Sequence, residues 1–136
     1  MKTYFKYLVF LIFTVGCTPK TEPFHYGEDQ CAFCKMAIVE DKYAAEIVTS
    51  KGKVFKYDDI SCMIRHRRTM EKKDFAFQVV NDFENPKEFL DVEKASFVQS
   101  DQYTSPMGGN TAAFRTPQPG AGSATLTWAA LQELFD

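Results

Sequence analysis

The sequence predicts an α+β fold, and three neighbouring observations carry that reading. Tyr43, Ala45, Ile47 and Thr49 alternate on one face, Lys51-Gly52 signals a turn, and Val54-Phe55-Lys56-Tyr57 resumes the β-prone content. Residues 43–57 therefore read as a β-hairpin. Asp58 or Asp59 then stands where an N-cap belongs. Ile60, Met63, Ile64 and Met70 follow at roughly helical spacing, which predicts a helix over 59–72. After Asp74, Phe75-Ala76-Phe77-Gln78-Val79-Val80 reads as a strand. The first half is thus strand–strand–helix–strand.

The remaining elements follow in order. Residues 24–30 show no periodicity and read as loop, and Ile38-Val39 reads as the start of a short strand. Asn85-Pro86 punctuates the chain. Phe89 to Val92 and Ala95 to Gln99 are short, apolar and β-prone. Residues 104–124 are rich in Gly, Pro, Ser and Thr, and a stretch of that length inside a compact domain is usually functional or mobile. Ala112-Ala113-Phe114-Arg115 reads as a short strand within it. Thr127 is placed to cap a closing helix that carries Trp128, Leu131, Leu134 and Phe135. The halves share a strand–strand–helix rhythm, without a residue-level repeat.

Composition narrows the class. A chain of 136 residues fits one domain or two very small packed units. With 45% hydrophobic residues, 13 Phe and 6 Tyr, it has the side chains for a core rather than the profile of a disordered segment. The net charge is −2, and the one basic cluster, Arg65-His66-Arg67-Arg68, is short. Nucleic-acid binders usually carry a basic stripe, so no nucleic-acid partner is expected.

The N-terminus reads as a targeting segment. Lys2 and Lys6 precede an apolar run from Leu8 to Val15 that is too short to span a bilayer, which needs about 20 residues. Gly16-Cys17 then resembles a bacterial lipobox, in which the peptide is cut before a cysteine that carries lipid. Residues 1–16 are therefore expected to be a lipoprotein signal peptide, with Cys17 the lipidation site. Residues 17–30 are expected to be a tether, its first part polar and proline-punctuated. The expected place is the cell envelope, anchored to a membrane and facing the periplasm.

With Cys17 set aside, three cysteines remain, and an odd number in an exported chain points to a reactive thiol or a metal ligand. Cys31-Ala32-Phe33-Cys34-Lys35-Met36 concentrates two thiols and a thioether in six residues. A redox dithiol uses the same Cys spacing, but Gly27-Glu28-Asp29-Gln30 does not read as the strand that would feed such a motif. A c-type haem would need His where Lys35 stands. Structural zinc would want four Cys or His ligands, which Cys31, Cys34, Cys62 and His25 or His66 could supply without familiar spacing. Met36 favours Cu(I), because soft thioether and thiolate donors select that ion. Cys62 and His66, at i and i+4 on the predicted helix, are candidates for a second ligand pair; Cys62 also reads as a small buried hydrophobe. His25 is a further candidate by proximity. Asp58-Asp59 is adequately explained by helix capping.

The ordered set of Cys31-x-x-Cys34-x-Met36, Tyr43-Ala44-Ala45-Glu46-Ile47-Val48, Phe55-Lys56-Tyr57-Asp58-Asp59-Ile60, Ser105-Pro106-Met107-Gly108-Gly109 and Ala113-Phe114 resembles the NosL family of copper-chaperone lipoproteins, linked to maturation of nitrous oxide reductase. The resemblance runs over nearly all of the chain after Cys17. It implies two small ββαβ-like units packed together, antiparallel or mixed sheets each with a helix, at about 31–83 and 84–136. It implies Cu(I) as cargo, Met107 as a further ligand beside Cys31, Cys34 and Met36, and no catalytic turnover. It also implies handover of copper to a receiving enzyme or its membrane assembly machinery. Family members often carry glycine where this chain has Lys35, a position at which a side chain restricts φ. The competing class is a membrane-anchored thiol–disulfide oxidoreductase using Cys31 and Cys34.

Overall fold

The computed structural model describes Gly16 and residues 18–70, 74–118 and 124–136. Cys17 and the expected signal segment up to residue 15 lie outside the described residues.

The hairpin forms as its pattern predicts. Strands β1 (Ala45–Thr49) and β2 (Val54–Tyr57) pair antiparallel, with Ala45 opposite Tyr57 and Ile47 opposite Phe55. Gly52 takes φ +82°, a conformation that side chains resist and glycine adopts freely, which lets the turn close. Helix α1 (Ile60–Thr69) begins where Asp59 Oδ1 accepts the Ser61 N–H at 2.8 Å. That bond satisfies one of the amides left free by the first turn. The whole N-terminal half of α1, from Ile60 to Ile64, is buried. Strand β3 (Phe75–Asn81) pairs with β1, and β4 (Phe89–Asp91) pairs with β3. The order is β2-β1-β3-β4, antiparallel throughout.

β5 (Ser96–Gln99) and β6 (Thr111–Phe114) make a separate two-stranded antiparallel sheet. Helix α2 (Trp128–Leu134) starts at Thr127, whose hydroxyl accepts the Ala130 N–H. It closes the core by packing Trp128 against Phe97 of β5 at 5.7 Å between ring centroids. The two sheets and two helices confirm the α+β class. β4 is contributed by the second half of the chain but joins the first sheet. One core cluster runs from Cys31 and Ile47 through Met63 and Phe97 to Leu131, so both halves share it. No described helix is long and apolar enough to cross a membrane.

Two segments differ from the sequence reading. Ile38-Val39 starts no strand: Ile38 is fully buried while Val39 is 71% exposed. The backbone there turns back on residues 27–30, with Gln30 bridging Ala37 and Ile38 donating to Asp29 O at 2.8 Å. Part of the expected tether is also fastened to the domain. Lys56 Nζ donates to Pro23 O at 2.8 Å and to Asp29 Oδ2 at 2.7 Å, and Tyr26 Oη accepts from Asn81 at 2.9 Å.

That fastening also covers a carboxyl. Glu46, the second residue of β1, has no exposed surface; its Oε1 accepts the Glu22 N–H at 3.0 Å and its Oε2 has no protein partner among the described residues. Burial raises its pKa from 4.5 to about 7, because desolvation penalises the charged form. A carboxyl raised in the folded state holds its proton more tightly there than in the unfolded chain. Its contribution to stability is therefore greatest at low pH and is lost as pH climbs from 4.5 through 7. Glu46→Gln removes that dependence. Thermal unfolding should show the variant gaining about 1–3 kcal/mol over the natural chain at pH 8 and much less at pH 5; an equal gap at both pH values would contradict this.

Candidate metal centre

The sulfur motif is a tight turn pinned at both ends. The Cys31 N–H donates to Met36 O at 2.8 Å and the Lys35 N–H to Cys31 O at 3.0 Å. Lys35 takes φ +67°, the left-handed region. The loop thus keeps the shape a glycine would favour, at a strain of about 1–2 kcal/mol for a residue with a Cβ. A third backbone bond, Ala32 N–H to Lys56 O at 2.8 Å, docks the turn onto β2.

That docking brings the turn against the junction between β2 and α1. Ligand atoms of Cys31, Cys34, Asp58 and Cys62 all lie within 4.8 Å of one another. Cys31, Asp58 and Cys62 are buried, Cys34 is half-buried, and all three cysteines are free thiols. Cys34 Sγ lies 3.4 Å from Asp58 Oδ1 and 3.5 Å from Oδ2, the thiol donating to the carboxylate.

The thiols differ in acidity. Cys31 is pulled down to about 6, chiefly by the hydrogen bond it accepts from the Cys62 thiol. The same bond, together with burial, pushes the Cys62 thiol well up. Burial raises Cys34 to about 11. Cys31 is therefore the thiol of the cluster that ionises most readily, and Cys34 and Cys62 hold their protons more tightly. Three sulfurs and one carboxylate make a donor set dominated by soft ligands, which suits thiophilic ions.

The structure does not bring every predicted residue into this cluster. Neither histidine joins it among the described residues. His25 is exposed and lies beside Asp29. His66 Nδ1 is 2.9 Å from Tyr57 Oη, and its ring packs on Phe33, Phe55 and Tyr57. Burial lowers its pKa, with the charges of Lys35 and Lys53 acting in the same direction. Cys62 thus pairs with the sulfur turn rather than with His66. Met36 is 57% exposed, two residues beyond Cys34. Met107 is partly buried and packs against the core cluster that contains Cys31 and Cys62.

Asp59 holds the Met107 loop. Its Oδ2 accepts from Ser105 Oγ at 2.6 Å and from the Met107 N–H at 3.0 Å, while Oδ1 caps α1. Gly109 fits beneath because it lacks a Cβ, which would stand 2.6 Å from Asp59 Oδ1 and 2.7 Å from Ser61 Oγ. Asp58 is the residue that reasoning from sequence missed, since capping accounts for only one of the two adjacent acids.

The unequal thiols give a direct prediction. Thiolate absorbance of the reduced, metal-free chain should rise in separate steps, the first near pH 6 and a later one near pH 11, as coupled groups titrate. Cys62→Ala should move the first step upward by removing the thiol that donates to Cys31. A first step above pH 8 in the natural chain would contradict the arrangement.

Comparison with known proteins follows the same lines. No curated protein matches the chain. Among solved structures, the crystal structure of the copper chaperone NosL from Shewanella denitrificans superposes with a TM-score of 0.69 at 18% identity, covering 82% of this chain and 95% of that one; this likeness concerns the fold. The sequence model of the NosL family matches residues 25–122. A match over that much of the sequence places this chain in the NosL family.

Proposed function

We propose that this chain is a Cu(I)-binding metallochaperone of the cell envelope, tethered by lipid on Cys17 and facing the periplasm. The observation that carries the reading is the convergence of three cysteine sulfurs, held within 4.8 Å and half-open at Cys34. Cys31 and Cys34 would hold the ion, with Cys62 beneath and the thioether of Met36 or Met107 completing the set. Soft sulfur donors at low coordination number suit Cu(I). The half-open face suits transfer, because ligand exchange needs a recipient sulfur to reach the ion. The related crystal structure is of a copper chaperone, which supports the same role here. The client would be a periplasmic copper enzyme, nitrous oxide reductase being the one linked to the family, and the tether would keep donor and recipient concentrated together.

The oxidoreductase alternative fits the geometry less well. Thiol exchange needs an accessible thiolate. Here the low-pKa thiol, Cys31, is fully buried, and the accessible one, Cys34, is pushed up to about 11.

Titration of the reduced chain with Cu(I) against a competing chelator tests the proposal. One-to-one binding tighter than about micromolar is expected. Cys34→Ser should weaken it by about 100-fold or more and Met36→Ser by about tenfold. Affinity should also fall as pH drops, because protons compete for the thiolates. Absence of a one-to-one complex would overturn the reading.

A further inference from the structure

The cluster opens beside a patch that the metal chemistry does not require. Phe33 is exposed next to Cys34, and its ring packs toward His66 at 6.3 Å. Phe55 meets the same imidazole edge-on at 5.5 Å. Two cations border these rings. Lys53 Nζ lies 4.7 Å over the Phe55 ring, and Lys35 Nζ folds back to donate to Ala32 O at 2.6 Å. Neither forms an ion pair among the described residues, whereas Lys56, Arg68 and Arg115 all do. The Phe33–Phe55 side of the opening therefore carries two cations without an ion-pair partner among the described residues, on a chain whose net charge is −2.

Lys35 adds an independent observation. It holds φ +67° on an exposed turn, where glycine would be unstrained. Strain kept at a site points to a use for the side chain, and Lys35 follows Cys34 directly in the chain, with its ammonium on Ala32 O of the same turn.

We infer that Phe33, Phe55 and His66, bordered by Lys35 and Lys53, form a docking surface for an acidic-rimmed partner protein that approaches the metal centre through Cys34. The inference rests on the chaperone reading for its purpose, since the partner would be the protein that exchanges copper. Charge complementarity selects the partner and speeds encounter, and the exposed aromatic ring supplies an apolar contact at its centre. A membrane is the poorer occupant, because surfaces that read anionic lipid carry clusters of about four to eight basic residues.

The test uses the reduced, isotope-labelled chain without metal. The probes are a synthetic Met-x-x-Met peptide flanked by glutamates, its lysine-flanked counterpart, and phosphatidylglycerol vesicles. The glutamate peptide should shift the amide signals of Phe33, Lys35, Lys53 and His66 and bind at least about tenfold more tightly than the lysine peptide at low salt. That preference should fade in high salt. K35E/K53E should reverse the order. Lys35→Gly should weaken glutamate-peptide binding several-fold while raising the melting temperature, a pair of effects that a merely structural lysine would not give. Equal response to both peptides, no response, or response to vesicles alone would overturn the inference. Chelator competition on the same samples reads copper affinity separately. A chain that binds the acidic peptide but not Cu(I) would keep the surface and overturn the chaperone reading; one that binds Cu(I) but ignores the peptide would do the reverse.

Discussion

The metal centre depends on the seating of the sulfur turn on β2, where the Ala32 N–H donates to Lys56 O and Lys56 Nζ donates to Asp29. β2 ends at Tyr57, and Asp58, the capping Asp59 and the first turn of α1 follow at once. Whatever lies against the end of β2 is therefore delivered to Asp58 and Cys62. The turn contributes Cys31 from its buried start and Cys34 from its half-open side, so docking on β2 assembles four ligand atoms from two distant parts of the chain. The first turn of α1 is buried all round, which fixes Cys62 more firmly than an exposed helix face would.

The adjacent acids divide the work. Asp59 is spent on structure: it caps α1 and fastens Ser105 and Met107 through the same carboxylate. Asp58 is left to face the thiols, where its carboxylate accepts from Cys34. A carboxylate beside protonated thiols holds their hydrogens in place and offers a hard oxygen at the margin of a soft site. The arrangement links the N-terminus of α1, the sulfur turn and the Met107 loop at one corner, with Gly109 permitting the loop to approach within a distance that no side chain would tolerate.

Much of the fold was legible because its signals are local. The alternation at 43–49, the Lys51-Gly52 turn and the acids before Ile60 each dictate their own element, and β4, β5, β6 and α2 all fall where short β-prone runs or a Thr cap predicted. Ile38-Val39 was misread because β-branched content reports a side chain suited to a pleated surface, and it does not supply a partner strand. Ile38 is buried by the core and Val39 points to solvent, while their backbone pairs with residues 27–30. The site was half legible. Cys31 and Cys34 announce themselves by spacing. Cys62 reads equally well as a core residue on a helical stripe, since nothing in sequence marks a contact across 31 positions. Asp58 is hidden by its neighbour, because one cap signal covers both acids while Asp59 alone makes the cap.

The central physical claim is that the sulfurs gathered at the end of β2 hold monovalent copper because they are soft donors. X-ray absorption at the copper edge of the loaded chain tests it most directly. A first coordination shell dominated by sulfur, losing a scatterer when Cys34 is replaced by serine, is the predicted result. A shell made of nitrogen and oxygen alone would contradict the account.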